Sequence, residues 1–320
     1  MMNKKVKLIV TMACYAAVLC AAIYLAPLLF RRTAQPEAAA GKGARPEIVY
    51  GGISLPGPLY PSAPGISVEG GKYAQLDYSN ASQGYVTITC IGDSGAPVMK
   101  MTCGEAEYTY TLSGEDVIPL TCGDGNYTFK IYQQLRSGKY KSIMTKTLTV
   151  ELENQLLPYL YPSQLVNYSP SSLAVEYAAG LCGALEGDLE KLKAVYAYII
   201  GNIVYDYKKA AAIEKGYIPS IDSTHISKSG ICFDYSVMMA AMLRTQLIPA
   251  KLVMGYLHGT SVFHAWNEVY LKNSGWVTVH IFIDTDSFSM LDSTLGASQD
   301  DEVIAQKLND SEVYLPTHKY

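Results

Sequence analysis

From about residue 67 to residue 153 apolar side chains recur at every second position, in runs too short for anything but strands. Tyr85-Val-Thr-Ile-Thr-Cys90, Tyr108-Thr-Tyr-Thr-Leu112, Tyr127-Thr-Phe-Lys-Ile-Tyr132 and Lys146-Thr-Leu-Thr-Val150 all alternate. Turn-forming clusters separate them: Gly92-Asp-Ser-Gly95, Ser113-Gly-Glu-Asp116, Gly123-Asp-Gly-Asn126 and Ser137-Gly138. Short strands at this spacing predict a small antiparallel β-sandwich over residues 67–153.

The period then changes. A connection rich in proline (Pro158, Pro162, Pro170) leads into helical spacing that begins near Leu173. It is clearest between Leu189 and Tyr205, where Leu192, Val195, Tyr196, Ile199 and Ile203 share one face. A second helix is predicted from Cys232 to Leu247, with Met238, Met239, Met242 and Leu243 as its buried side and Pro249 beyond its end. Strands follow at Lys251–Tyr256, Val262–Leu271 and Trp276–Ile283, and a short one, Phe288–Leu291, delivers Asp292. The fold class is therefore α+β: residues 67–153 form one domain and residues 154–320 a second, mixed one. No internal repeat is visible.

The N-terminus points to a membrane. Leu8 to Phe30 is 23 residues without a charge, long enough to cross a bilayer as a helix, and Lys4, Lys5 and Lys7 precede it. Residues 1–32 are read as a membrane anchor, with a cleaved signal peptide as the competing reading. Either one places the body outside the cytoplasm. Residues 33–66, dominated by Ala, Pro and Gly, read as a spacer. The first 32 residues hold five basic and no acidic side chains, leaving 20 basic against 29 acidic in the remainder, a net of −9. That balance argues against nucleic acid as a partner.

Seven cysteines do not compose an obvious disulfide framework. Cys14 and Cys20 lie in the apolar segment. Cys90, Cys103 and Cys122 share the strand-rich region, so one bridge among them is open, but small buried side chains is the favoured reading for these and for Cys182. No Cys/His spacing suggests a metal site, and Gly123-Asp-Gly-Asn126 lacks the run of oxygen ligands a calcium loop needs. The sequence asks for no metal and no cofactor.

Cys232 is different. It stands in the first turn of a predicted helix, after Ser229 and Gly230. A glycine there permits close approach by a substrate, and the unpaired N–H groups of the turn favour a thiolate and a tetrahedral oxyanion. His264 lies on the strand that follows, where alternation puts Val262, His264, Trp266 and Glu268 on one face and Phe263, Ala265 and Asn267 on the other. A neutral histidine acting as a base needs a carboxylate to orient it. Asp292 is the preferred choice, and Asp284 and Asp286 fall in a turn where solvated aspartates are routine. Asp234 reads as a first-turn carboxylate favouring the helix dipole, and Asn267 and Glu268 as partners of neighbouring backbone.

Five short blocks in order, Gly230-Ile-Cys232-Phe-Asp-Tyr-Ser, Leu243-Arg-Thr-Gln-Leu-Ile-Pro-Ala250, Gly255-Tyr256, His264-Ala-Trp-Asn-Glu-Val269 and Leu291-Asp-Ser-Thr294, resemble the transglutaminase-like superfamily over roughly residues 190–300. The resemblance implies a papain-like fold in residues 154–320, a helix carrying the cysteine against an antiparallel sheet. It implies Cys232 as nucleophile, His264 as base and Asp292 as orienting acid. The family's acid follows a tryptophan by four residues, and four residues after Trp276 stands His280. An extra hairpin is read here, with Phe288 in the tryptophan's place and Asp284 as the fallback acid. Tyr205 is a candidate contributor to oxyanion binding.

The whole layout resembles membrane-anchored surface proteins of Gram-positive bacteria of the clostridial type. The function so implied is acyl transfer through a cysteine thioester, as a protease or amidase or as a cross-linker. The expected substrate is a protein or peptide, cell-wall peptide among them. The alternative is a surface binding or scaffold protein whose second domain is not catalytic.

Overall fold

Strands form where the alternation predicts them, and the fold is α+β with several antiparallel sheets and few helices. A computed structural model describes residues 48–50, 53–55, 57–91, 97–135, 137–257, 263–281 and 314–320. The apolar segment Leu8–Phe30 and the aspartates Asp284, Asp286 and Asp292 lie outside the described residues. No helix among the described residues is long and apolar enough to cross a membrane.

Within the stretch expected to be a spacer, β1 (Ile48–Tyr50) and β2 (Ile53–Leu55) pair as a hairpin. Leu55 is buried against Tyr85, Leu157 and Leu247. Next come β3 (Val68–Gly70), β4 (Ala74–Asp77), β5 (Tyr85–Cys90), β6 (Val98–Cys103), β7 (Ala106–Thr111), β8 (Glu115–Pro119), β9 (Gly125–Gln134) and β10 (Tyr140–Val150). They assemble into two antiparallel sheets, ordered β3-β4-β5-β8 and β10-β9-β6-β7. Leu76, Val86, Ile88 and Ile118 of the first and Met99, Met101, Phe129 and Ile131 of the second are fully buried in one core. Each such side chain contributes roughly 1.5–3 kcal/mol. The alternate positions of the second sheet, including Lys100, Thr109 and Tyr132, face outward.

One cysteine pair corrects the sequence reading. Cys103 and Cys122 form a disulfide, with Cα atoms 6.3 Å apart. Cys103 ends β6 and Cys122 stands in the turn before β9, and the two strands pair, so the thiols meet within normal bridging reach. Cys90 and Cys182 are free thiols, Cys182 buried as expected. The nearby Asp124 is structural: its carboxylate accepts from the Leu152 N–H and the Gln155 amide, both at 2.8 Å.

The proline-rich connection is an interior segment rather than a solvated one. Leu157, Tyr159, Leu160 and Tyr161 are buried in it. Beyond it lie α1 (Leu173–Cys182), α2 (Asp188–Asn202), β11 (Val204–Tyr205), α3 (Tyr207–Ala212), α4 (Ile221–Ser227), β12 (Ser229–Gly230) and α5 (Cys232–Arg244). The last four strands are β13 (Ala250–Leu257), β14 (Phe263–Leu271), β15 (Gly275–Val279) and β16 (Tyr314–Lys319), in an antiparallel sheet ordered β15-β14-β13-β16. The C-terminal strand β16 has no counterpart in the sequence reading.

Every residue of α5 from Phe233 to Arg244 is buried, so the cysteine-bearing helix is the centre of this half. It stops three residues before the predicted end. Leu247 takes a left-handed backbone (φ 59°), and the N–H groups of Gln246 and Ile248 close back on Leu243.

The disulfide closes a short loop inside the sandwich. Replacing Cys103 and Cys122 together by serine should lower stability by about 2–4 kcal/mol. The urea midpoint with and without reductant checks this: reductant should shift the wild type toward the variant and leave the variant unmoved.

Candidate active site

The α5 helix begins at Cys232 because Ile231 is extended (φ −110°, ψ 175°) and Asp234 caps it: the carboxylate accepts the Ile231 N–H at 2.8 Å. Asp234 is wholly buried and takes two more donors, Lys209 Nζ of α3 at 2.7 Å and the Tyr217 hydroxyl at 2.5 Å. A buried carboxylate needs partners of this kind to be tolerated. The Lys209 ammonium also sits over the Tyr217 ring, 4.7 Å from its centroid. Tyr217 packs edge-on against Phe233, the neighbour of Cys232.

Gly230 has a different reason from the one read in the sequence. A Cβ there would stand 2.9 Å from Asp234 Cβ and 3.3 Å from Thr224 Cγ2. The space a side chain would need at Gly230 is filled by the capping aspartate. β12 pairs in parallel with β11 and sets Tyr205 opposite Gly230. Burial, then the nearby Cys232, raises the Tyr205 pKa, which marks the ring as a neighbour of the thiol.

The backbone N–H groups of Ala265 in β14, of Phe233 and of Cys232 itself lie close enough to the Cys232 sulfur to favour its ionised form. The helix that starts at Cys232 packs on β14, the strand that carries His264. Asn267 holds strand and helix together: its amide donates to Ser236 O at 2.9 Å and to Lys251 O at 3.0 Å. Glu268 departs from its expected backbone role and pairs with Lys251 (2.8 Å) and Lys319 (2.6 Å).

His264 stacks near-parallel on Trp266, ring centroids 6.4 Å apart. Buried His280 also lies against this tryptophan, 5.7 Å between ring centroids.

Burial sets the protonation of the site. It pushes the Cys232 thiol above its ordinary range, outweighing the three N–H donors that pull it down. It pushes His264 down to about 4. His280 is pushed down to about 3, by burial first and by His264 second. Burial thus favours the protonated thiol of Cys232 and the neutral imidazole of His264. No group of His, Cys, Asp and Glu side chains among the described residues is arranged to hold a metal ion.

Residues 175–281, which hold Cys232, His264, Trp266 and Asp234, match the sequence model of the transglutaminase-like superfamily. This segment belongs to that superfamily. The protein YebA of Bacillus subtilis (strain 168), itself uncharacterized, is 32% identical over 111 residues, which cover 28% of this chain. The chain spans only 14% of that relative's length. Among solved structures, a candidate cysteine protease of Cytophaga hutchinsonii aligns with 70% of this chain and 76% of its own, at 15% identity and a TM-score of 0.37. Red sea bream transglutaminase aligns with 61% of this chain and 47% of its own, at 10% identity and a TM-score of 0.27.

Cys232 stands at the start of α5 and His264 on β14, the helix start and the strand on which the sequence pattern puts them. Lys209 and Tyr217 are the residues that sequence reasoning missed. Neither lies within twelve residues of Cys232, and only the Asp in Cys-Phe-Asp hinted at a partner.

Two outcomes follow from this geometry. Gly230→Ala should destabilise the protein by about 1–3 kcal/mol, because the methyl displaces the capping carboxylate. A gain in the urea midpoint, the usual effect of Gly→Ala at an unstrained site, would refute that packing. Second, His264 and His280 have folded pKa values below the unfolded 6.5. Their neutral forms support the fold above that pH, and the support is lost as pH falls from about 6.5 toward 4 and 3. His280→Gln should therefore show a smaller loss of urea midpoint than wild type between about pH 7 and 4, and equal losses would contradict the assignment.

Proposed function

We propose that the protein is a thiol-dependent acyl-transfer enzyme acting on peptide or glutamine carboxamide bonds at the cell surface. The observation that carries this is the position of Cys232, at the N-terminus of a buried helix packed on β14, the strand that bears His264.

In this reading His264 takes the Cys232 proton as the sulfur attacks the carbonyl carbon. The carbonyl oxygen becomes an oxyanion held by first-turn N–H groups, with Tyr205 as a further donor. Collapse of the tetrahedral species breaks the C–N bond, and the departing amine takes the proton from His264. The thioester is then attacked by water, giving a carboxylic acid, or by an amine, giving a new amide. In both cases the thiol leaves and is reprotonated through His264. Asp292 is assigned as the carboxylate that orients the imidazole, in keeping with the superfamily motif.

The surface location is supported by the apolar segment Leu8–Phe30 and by the Cys103–Cys122 disulfide, which suits an oxidising compartment. A protein or peptide substrate, cell-wall peptide included, fits that location.

The test is incubation of the purified protein with peptide pools, with and without an amine donor, read by mass spectrometry. Loss of a peptide bond, loss of ammonia from glutamine, or a mass gain by the amine identifies the outcome. Cys232→Ala should abolish all three, and His264→Ala should cut the rate by at least about 100-fold. Alkylation of Cys232 should keep accelerating above about pH 9, since its thiol titrates high. No turnover together with indifference of Cys232 labelling to His264→Ala would leave a surface binding module instead.

A further inference from the structure

The outward face of the sheet β10-β9-β6-β7 does not open freely to solvent along its whole width. Residues 215–218 of the loop after α3 lean toward it, and a cleft of about 750 Å³ lies between them. Its floor crosses all four strands, from Thr109 of β7 through Lys100 of β6 and Tyr132 of β9 to Tyr140 of β10. Three strand spacings of about 4.8 Å make this floor about 14 Å long, the length of roughly four residues of extended peptide.

The charge of the cleft is one-sided. Its lining holds two lysines, Lys100 and Lys215, and no carboxylate. Lys130 stands directly beside Lys100 in the sheet and extends the positive strip. Lys215 is exposed and makes no ion pair among the described residues. Lys100 is paired with Glu107 at 2.6 Å, but both side chains are about half exposed, and a solvent-screened surface pair of this kind yields readily to a competing acid. This strip lies on a body whose net charge is −9 beyond residue 32, so it is a local exception.

The cleft also reaches the candidate active site through one side chain. Gly216, with φ +90°, turns the loop so that Tyr217 lines the cleft while its hydroxyl donates to Asp234 and its ring packs on Phe233. Phe233 and Asp234 are the two residues that follow Cys232.

We propose that this cleft is a binding site for an extended acidic peptide segment, the part of a polypeptide substrate that flanks the residue presented to Cys232. As the seat of a substrate it rests on the thiol-enzyme reading; as a binding site it does not. Carboxylates of the peptide meet Lys215 and Lys100, and its alternate side chains lie against Tyr132, Tyr140 and Tyr217.

Binding is measured on the Cys232→Ala protein, so that failure of catalysis and failure of this site are read separately. The probe is a fluorescein-labelled octapeptide alternating glutamate and alanine, compared by anisotropy with a lysine–alanine octapeptide of the same length. The acidic peptide should bind and the basic one should not, with affinity falling as salt rises. Lys100→Glu combined with Lys215→Glu should weaken binding at least about tenfold. Thr109→Trp, which fills the cleft without altering charge at an exposed position, should weaken it too while circular dichroism stays unchanged. Equal binding of the two peptides, no binding of the acidic one, or unchanged affinity in the charge-reversed variant would overturn the proposal.

Discussion

One buried cation fixes the frame in which everything else sits. Arg244, at the C-terminal end of α5, has no exposed surface and donates to three backbone carbonyls: Tyr161 O at 2.7 Å, Ala250 O at 2.9 Å and Tyr320 O at 3.2 Å. These belong to the connection out of the sandwich, the start of β13 and the residue after β16. Burial lowers its pKa to about 10, which leaves it charged at neutral pH. A desolvated guanidinium is costly unless its donors are met. Here they are met by carbonyls, and the charge also lies at the negative end of the helix. Removing the side chain would leave three interior carbonyls without their donor, which is why no one of the three segments can shift alone.

Asp234 is the counterpart at the other end of the same helix. It gathers Lys209, Tyr217 and the Ile231 N–H around the first turn, as Arg244 gathers carbonyls around the last. Cys232 is therefore held on a rod clamped at both ends by buried charges. The precision of its sulfur relative to β14 comes from those clamps and from the Asn267 bridge to Ser236 O. None of the three groups is itself assigned to the chemistry.

Much of this was legible in the chain. Period-two runs became the strands of both sandwich sheets because each had one face to bury. The helix start at Cys232 and the strand at His264 followed from the switch in period. What stayed hidden has physical causes. Asp234 read as a dipole-favouring carboxylate, since an aspartate in a first turn looks the same in sequence whether it is solvated or buried. Its partners Lys209, in the short helix α3, and Tyr217, in the loop after it, come from a stretch whose path no periodicity describes. β16 carries Pro316 and follows a stretch without strand spacing, and it is a strand because β13 offers it an edge. The Cys103–Cys122 bridge depends on strand register, which three cysteines of similar context do not reveal.

The resting state of Cys232 has a chemical consequence beyond catalysis. Peroxides and other oxidants attack thiolates far faster than thiols. A half-buried sulfur held protonated by its surroundings is therefore sheltered from oxidation. Burial of this kind lets a cysteine keep its reduced form where an exposed, ionised one would lose it.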